Sequence, residues 1–91
     1  MSLLPKKKSV KFSYSAPTAK SVAVAASFNN WSATAHPMKK GIKGHWSCSL
    51  KLAPGRYEYR FVLNGSQWMD DPACTERCPN PLGGQNCVLH V

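Results

Sequence analysis

Alternation with a period of two limits what this chain can fold into more than any other feature. Residues 8–14 place Val10, Phe12 and Tyr14 at every second position, and residues 20–28 do the same with Val22, Val24, Ala26 and Phe28. Residues 45–52 align Trp46, Cys48, Leu50 and Leu52; residues 56–63 align Tyr57, Tyr59, Phe61 and Leu63. Successive side chains of an extended strand point to opposite faces, so each run carries one apolar face. In residues 56–63 the opposite face receives Arg56, Glu58, Arg60 and Val62, which turns Arg60 away from the core. No stretch keeps a helical period, and the fold class expected is all-β. Asn29-Asn30 ends the second run. Pro54-Gly55 is expected to close a hairpin between residues 45–52 and 56–63, and Asn64-Gly65 one leading to a short strand around residues 67–69. Residues 86–91 complete six or seven short strands, the pattern of a β-sandwich.

With 91 residues there is chain for one core only. The domain is expected over residues 10–91, behind a basic tail at residues 1–9. Leu, Ile, Val and Phe number 17 of 91 and the net charge is +8, near the border of disorder. The alternation and nine aromatics decide for a folded domain with a thin, aromatic core. Two long connections, residues 29–44 and 70–85, are where functional groups are expected.

The only acids are Glu58, Asp70, Asp71 and Glu76, a small pool for acid–base catalysis. Asp70 and Asp71 are neighbours and project to opposite sides, which defeats a paired acid and base across a scissile bond. Asp71-Pro72 reads as a structural turn. The chain is not expected to be an enzyme by itself. The basic excess gathers in Lys6, Lys7 and Lys8 and in Lys39, Lys40 and Lys43, expected to be solvated. The longest apolar run, residues 22–26, is too short to span a membrane, and no membrane partner is expected. No secretory signal is visible, so the expected compartment is the cytoplasm.

Cys74, Cys78, Cys87 and His90 supply enough ligands for a tetrahedral zinc site at an unusual spacing. On a strand, Cys87 and His90 project to opposite faces, which works against a shared metal. A disulfide among the three cysteines is conceivable; the absence of a secretory signal favours free thiols. Cys48, in phase with core residues, is expected to pack. His36 and His45 have no partner suggesting chemistry.

Trp46 has a core slot beside Leu50 and Leu52. Trp31 and Trp68 have none: one leaves a strand end at a turn, the other follows the Asn64-Gly65 hairpin. Exposed indoles flanked by amides and an arginine suit the face of a sugar ring. The rival is a single-stranded nucleic-acid binder, which +8 and exposed aromatics also describe. Such binders place aromatics in mid-strand on an open sheet, whereas the strand aromatics here share phase with aliphatics. Nucleic acid therefore ranks below sugar.

The stretch from Val22 through Phe28-Asn29-Asn30-Trp31, then Trp46, Pro54-Gly55, Tyr57, Tyr59-Arg60-Phe61, Asn64-Gly65, Trp68, Asp71-Pro72 and residues 82–86 closely resembles carbohydrate-binding module family 48. That family includes the glycogen-binding domain of the AMP-activated protein kinase beta subunit and the amino-terminal domains of branching and debranching enzymes. The resemblance implies an immunoglobulin-like β-sandwich of the early set type. It implies a non-catalytic module for α-1,4-linked glucan (glycogen, starch, maltooligosaccharides), needing no metal or nucleotide. It allows an accessory domain of a glycoside hydrolase family 13 type enzyme, or a docking domain on a catalytic domain or kinase subunit. By the same resemblance Trp31 and Trp68 stack on glucose rings, Arg60 and Asn86 bond hydroxyls, and Leu82 supports the chain. Gly84 stands where the kinase-type domain has a threonine, and the hairpin before Trp68 is one residue longer.

Overall fold

The computed structural model describes residues 6–80 and 84–91. Eight strands are formed among them: β1 (Lys8–Ser15), β2 (Val22–Ala26), β3 (Lys39–Lys40), β4 (His45–Leu52), β5 (Arg56–Leu63), β6 (Gln67–Met69), β7 (Arg77–Pro79) and β8 (Gln85–His90). They make two antiparallel sheets. One is ordered β1-β4-β3; the other is β2-β5-β8-β7, with β6 also paired to β5. The all-β sandwich expected from the alternation is what the chain adopts. Lys8 and Ser9, assigned above to the tail, are the first residues of β1.

The two sheets close through aromatics presented by β1 and β5. Phe12 meets Tyr59 edge to face at 5.2 Å, and Tyr14 lies 4.9 Å from Phe61. Such ring pairs add about 0.5–1.5 kcal/mol each beyond the area they bury. Val22, Val24 and Phe61 are fully buried between the layers. Trp46 fills the other sheet's half of the core, and its Nε1–H donates to the Ala16 carbonyl at 2.9 Å.

Three expectations need correction. β4 and β5 are not a hairpin: β4 pairs with β1 and β3, while β5 pairs with β2, β6 and β8. Each of the two strands has one apolar face, and burying those faces against each other puts them in opposite layers. The Pro54-Gly55 turn therefore crosses between sheets, with Gly55 exchanging two backbone hydrogen bonds with Val91. Second, β2 ends at Ala26, because Ser27–Asn29 tightens into a 3-10 turn that includes Phe28. Third, Cys74 and Cys87 are joined in a disulfide rather than being free thiols, with Cα atoms 6.0 Å apart. The Asp71–Cys74 turn, closed by Cys74 N–H to Asp71 C=O, returns the chain toward the inner face of β8 where Cys87 is buried. Cys78 is opposite Asn86 in the β7–β8 register and so shares the outer face. The ligand set Cys74, Cys78, Cys87 and His90 is thereby divided between two faces, and no cluster of metal-ligating side chains forms among the described residues. Cys48 packs part-buried against the core, as expected.

Asp71, as its place before Pro72 suggests, is structural. It is buried, accepts the Tyr59 hydroxyl at 2.5 Å and the Ala73 N–H at 2.9 Å, and so staples the turn after β6 to the centre of β5.

Candidate carbohydrate site

The outer face of the five-stranded sheet has a built-in discontinuity. The edge of β5 away from β2 pairs first with β8, ending at Tyr59↔Cys87, and then with β6, starting at Phe61↔Met69. Arg60 lies at the junction and points outward. Asn86 follows on one side of it and Trp68, opposite Val62, on the other.

Trp31 arrives at the same place from the turn after β2. Asn29 builds that turn: its Oδ1 accepts the N–H groups of Ala26 and Ser32, and its Nδ2 donates to the Val24 carbonyl and lies 2.9 Å from His36 Nδ1. Asn30 and Trp31 are both left-handed, with φ of 56° and 58°, and the Trp31 N–H closes onto the Ala26 carbonyl at 2.9 Å. His36 thus has a structural partner. His45 is exposed at the start of β4.

Together these elements enclose an open cleft of about 670 Å³, lined among the described residues by Ser27, Trp31, Glu58, Arg60, Trp68, Asn80 and Asn86. Four of the six residues singled out from the sequence, Trp31, Arg60, Trp68 and Asn86, are brought to one cleft. Gly84 sits at its rim, where an added Cβ would come 3.2 Å from Asn80 Nδ2 and 3.9 Å from Arg60 Nη1. Leu82 lies outside the described residues. Trp68 is 38% exposed, one of two large apolar side chains presented so openly among the described residues.

The polar groups are held in chains of contacts. Asn80 Nδ2 donates to Asn86 Oδ1 at 3.2 Å, and Asn86 Nδ2 donates to Glu58 Oε1 at 3.1 Å. Glu58 also accepts the Cys78 thiol at 2.9 Å and Arg56 at 3.0 Å. These bonds, the thiol's first, push the Glu58 carboxyl down to about 2, and the same carboxylate pushes the Cys78 thiol up. Arg60 Nη2 stands 3.0 Å from Asp70 Oδ1, and Arg77 Nη1 3.5 Å from Asp70 Oδ2. Arg60 Nε is buried with no hydrogen-bond partner among the described residues. The cleft thus offers two flat rings, an oriented amide and a fixed guanidinium. Its one carboxylate is fully ionised at neutral pH and already accepts three donors, so it has no proton to give.

Sequence reasoning did not assign Glu58, Ser27 or Asn80 to the cleft, and weighed Cys78 only as a metal ligand, a disulfide partner or a free thiol. Glu58 was within reach of it, being two residues before the outward-facing Arg60 and hence on its face. Asn80 and Cys78 become visible only once residues 77–79 pair with β8.

Residues 2–73 match the family Carbohydrate-binding module 48 (Isoamylase N-terminal domain). The chain belongs to that family. The matched span takes in Trp31, Arg60 and Trp68 and ends ahead of Leu82, Gly84 and Asn86. Among curated relatives, the module is 47% identical over 55 residues to Protein PTST homolog 2, chloroplastic, of Arabidopsis thaliana, covering 60% of this chain and 10% of that protein. It is 37% identical over 54 residues to Protein FLOURY ENDOSPERM 6, chloroplastic, of rice, covering 59% and 10%. It is 42% identical over 57 residues to a 1,4-alpha-glucan branching enzyme of Xanthomonas euvesicatoria, covering 63% and 8%. The module spans about a tenth of the length of these relatives.

Proposed function

We propose that this module binds α-1,4-linked glucan non-covalently through the cleft, as a targeting or sensing domain of a larger protein. The observation that carries the reading is that Trp31, from the turn after β2, and Trp68, on β6, line one cleft with Arg60 and Asn86. In this arrangement the indoles stack on glucose rings of a curved chain and Arg60 and Asn86 bond hydroxyls; the part of Leu82, which lies outside the described residues, rests on the family resemblance alone. Covering about 100 Å² of one indole contributes about 2.5 kcal/mol at the usual area coefficient. Two rings and two polar contacts give binding on the order of millimolar to micromolar, adequate on a polymer with many equivalent sites. The branching-enzyme relatives, whose name specifies 1,4-alpha-glucan, support an accessory role beside a catalytic domain of the glycoside hydrolase family 13 type; attachment to a kinase subunit is the other context the family offers. For compartment, the proposed cytoplasm stands against the plastid location in two relatives' names, and imaging a fluorescent fusion of the full-length protein decides between them.

The test is a tryptophan-fluorescence titration with maltoheptaose, with cellohexaose as the β-linked control, on wild type and Trp68→Ala. A saturable change with the α-glucan alone, insensitive to salt and lost in the variant, is expected. No response up to several millimolar refutes the glucan reading. A response that collapses with ionic strength points instead to phosphate contacts and nucleic acid.

A further inference from the structure

We propose that the outer face of the β1-β4-β3 sheet, with the tip between β3 and β4, docks on an anionic lipid bilayer. Charge is sorted between the two sides of the sandwich. The four acids lie on β5 and in the connection between β6 and β7, and all three arginines lie on β5 and β7. Each arginine is ion-paired there: Arg56 with Glu58, Arg60 and Arg77 with Asp70. Among the described residues no ion pair includes a lysine.

The opposite sheet carries lysines and no acid. Its outward positions are Lys11 on β1, Lys51 on β4 and Lys39 on β3, all exposed, and every other outward position on β1 and β4 is serine or histidine. Registers Ser9↔Lys51 and Lys11↔Ser49 set Lys11 and Lys51 diagonally across two strands. Directly beyond β3, Gly41-Ile42-Lys43 turns into β4, and Ile42 is 82% exposed.

Lysines on edge strands guard against edge-to-edge pairing, which accounts for Lys11 and Lys39. It does not account for an almost naked isoleucine flanked by Lys40 and Lys43. Lysine and serine are depleted at protein–protein interfaces and arginine and aromatics enriched; this face has the reverse composition. Its outward positions offer no indole, phenol or phenyl ring for base stacking. A flat array of mobile point charges around one aliphatic anchor fits a surface read through its potential rather than through directed bonds. That no helix among the described residues is long and apolar enough to cross a membrane concerns spanning, not adhesion to a surface. Because the face lies on the sheet opposite the cleft, the proposal stands independently of the glucan reading.

The experiment is cosedimentation of the whole chain with phosphatidylcholine vesicles, with and without about 30 mol% phosphatidylserine, at about 50 and 500 mM salt. The variants are Lys11→Gln/Lys39→Gln/Lys51→Gln and Ile42→Ser, with thermal midpoints showing that both are folded. Binding to the anionic vesicles only, released by salt, is expected. The triple variant should bind on the order of a hundredfold more weakly and Ile42→Ser about tenfold more weakly. No sedimentation at low salt, equal binding to neutral vesicles, or a triple variant within about threefold of wild type overturns the proposal. Tighter binding of a single-stranded oligonucleotide than of the vesicles at the same salt also overturns it, assigning the face to nucleic acid.

Discussion

Removing the Asp71 carboxylate tests the claim that this residue holds the fold rather than a ligand. In Asp71→Ala the Tyr59 hydroxyl, on a side chain 6% exposed, loses its acceptor inside the protein, and a stranded buried donor costs about 1–3 kcal/mol. The Ala73 N–H also loses its acceptor, but Ala73 is exposed and water replaces the bond, adding at most about 1 kcal/mol. The sum is about 1–4 kcal/mol. For 91 residues at about 2.1 cal/mol/K per residue, that lowers the midpoint by about 5–20 °C. The assay is urea and thermal unfolding of wild type, Asp71→Ala, Tyr59→Phe and the double variant. Because Tyr59→Phe already removes the stranded donor, adding Asp71→Ala to it should cost only about 1 kcal/mol, a coupling of about 1–3 kcal/mol. Maltoheptaose affinity should stay within about twofold at temperatures where the variants are folded, since the carboxylate faces the core. A fall in midpoint below about 3 °C, or a coupling of zero, would refute the assignment.

Thiol titration of the native protein should count two reactive cysteines, Cys48 and Cys78, and four after reduction; releasing the Cys74–Cys87 bond, at a separation of 13 residues, should lower stability by about 3 kcal/mol. Glu58, held at about 2 against an ordinary 4.5, adds stability that is complete above about pH 4.5 and disappears as pH falls toward 2. The gap in urea midpoint between wild type and Glu58→Gln should therefore close over that window. Burial first, and then the bond to Asp71, push the Tyr59 phenol up from 10.0. This favours the neutral form in the fold, so stability should fall as pH rises above about 10, and Tyr59→Phe should flatten that limb. Gly84→Thr places a Cβ 3.2 Å from Asn80 Nδ2; Asn80 should swing away from Asn86, weakening maltoheptaose binding by a few-fold with about 1 kcal/mol or less of stability lost.

The alternation in β1, β2, β4 and β5 made the core legible, because period two alone says which side chains share a face. The Pro54-Gly55 turn was misread since periodicity gives a strand its faces but not its neighbours. Whether two amphipathic strands lie side by side or face to face is a matter of which strands pair with their edges, and β1 beside β4 and β8 beside β5 come from far away in the chain. β3 and β7 carry no pattern of their own: Lys39–Lys40 and Arg77–Pro79 are strands because β4 and β8 have free backbone groups to pair with. At the cleft, Trp31, Trp68 and Arg60 were visible as residues without a core slot. The face of Glu58 was legible too, but not its bond to Cys78, which comes from a carboxylate and a thiol meeting across β5 and β7, 20 positions apart. The disulfide was hidden for a similar reason: reach depends on the Asp71–Cys74 turn, which spacing does not reveal.

The left-handed backbone at Trp31 sets stability against purpose at one position. A φ of 58° suits glycine and taxes an aromatic residue by about 1 kcal/mol. Trp31→Gly would relax the turn while stripping the cleft of a ring. A screen that rewards thermostability alone would therefore drift toward glycine here and deliver a sturdier sandwich that no longer holds its ligand. Only a screen that also retains clones on immobilised glucan would keep the indole.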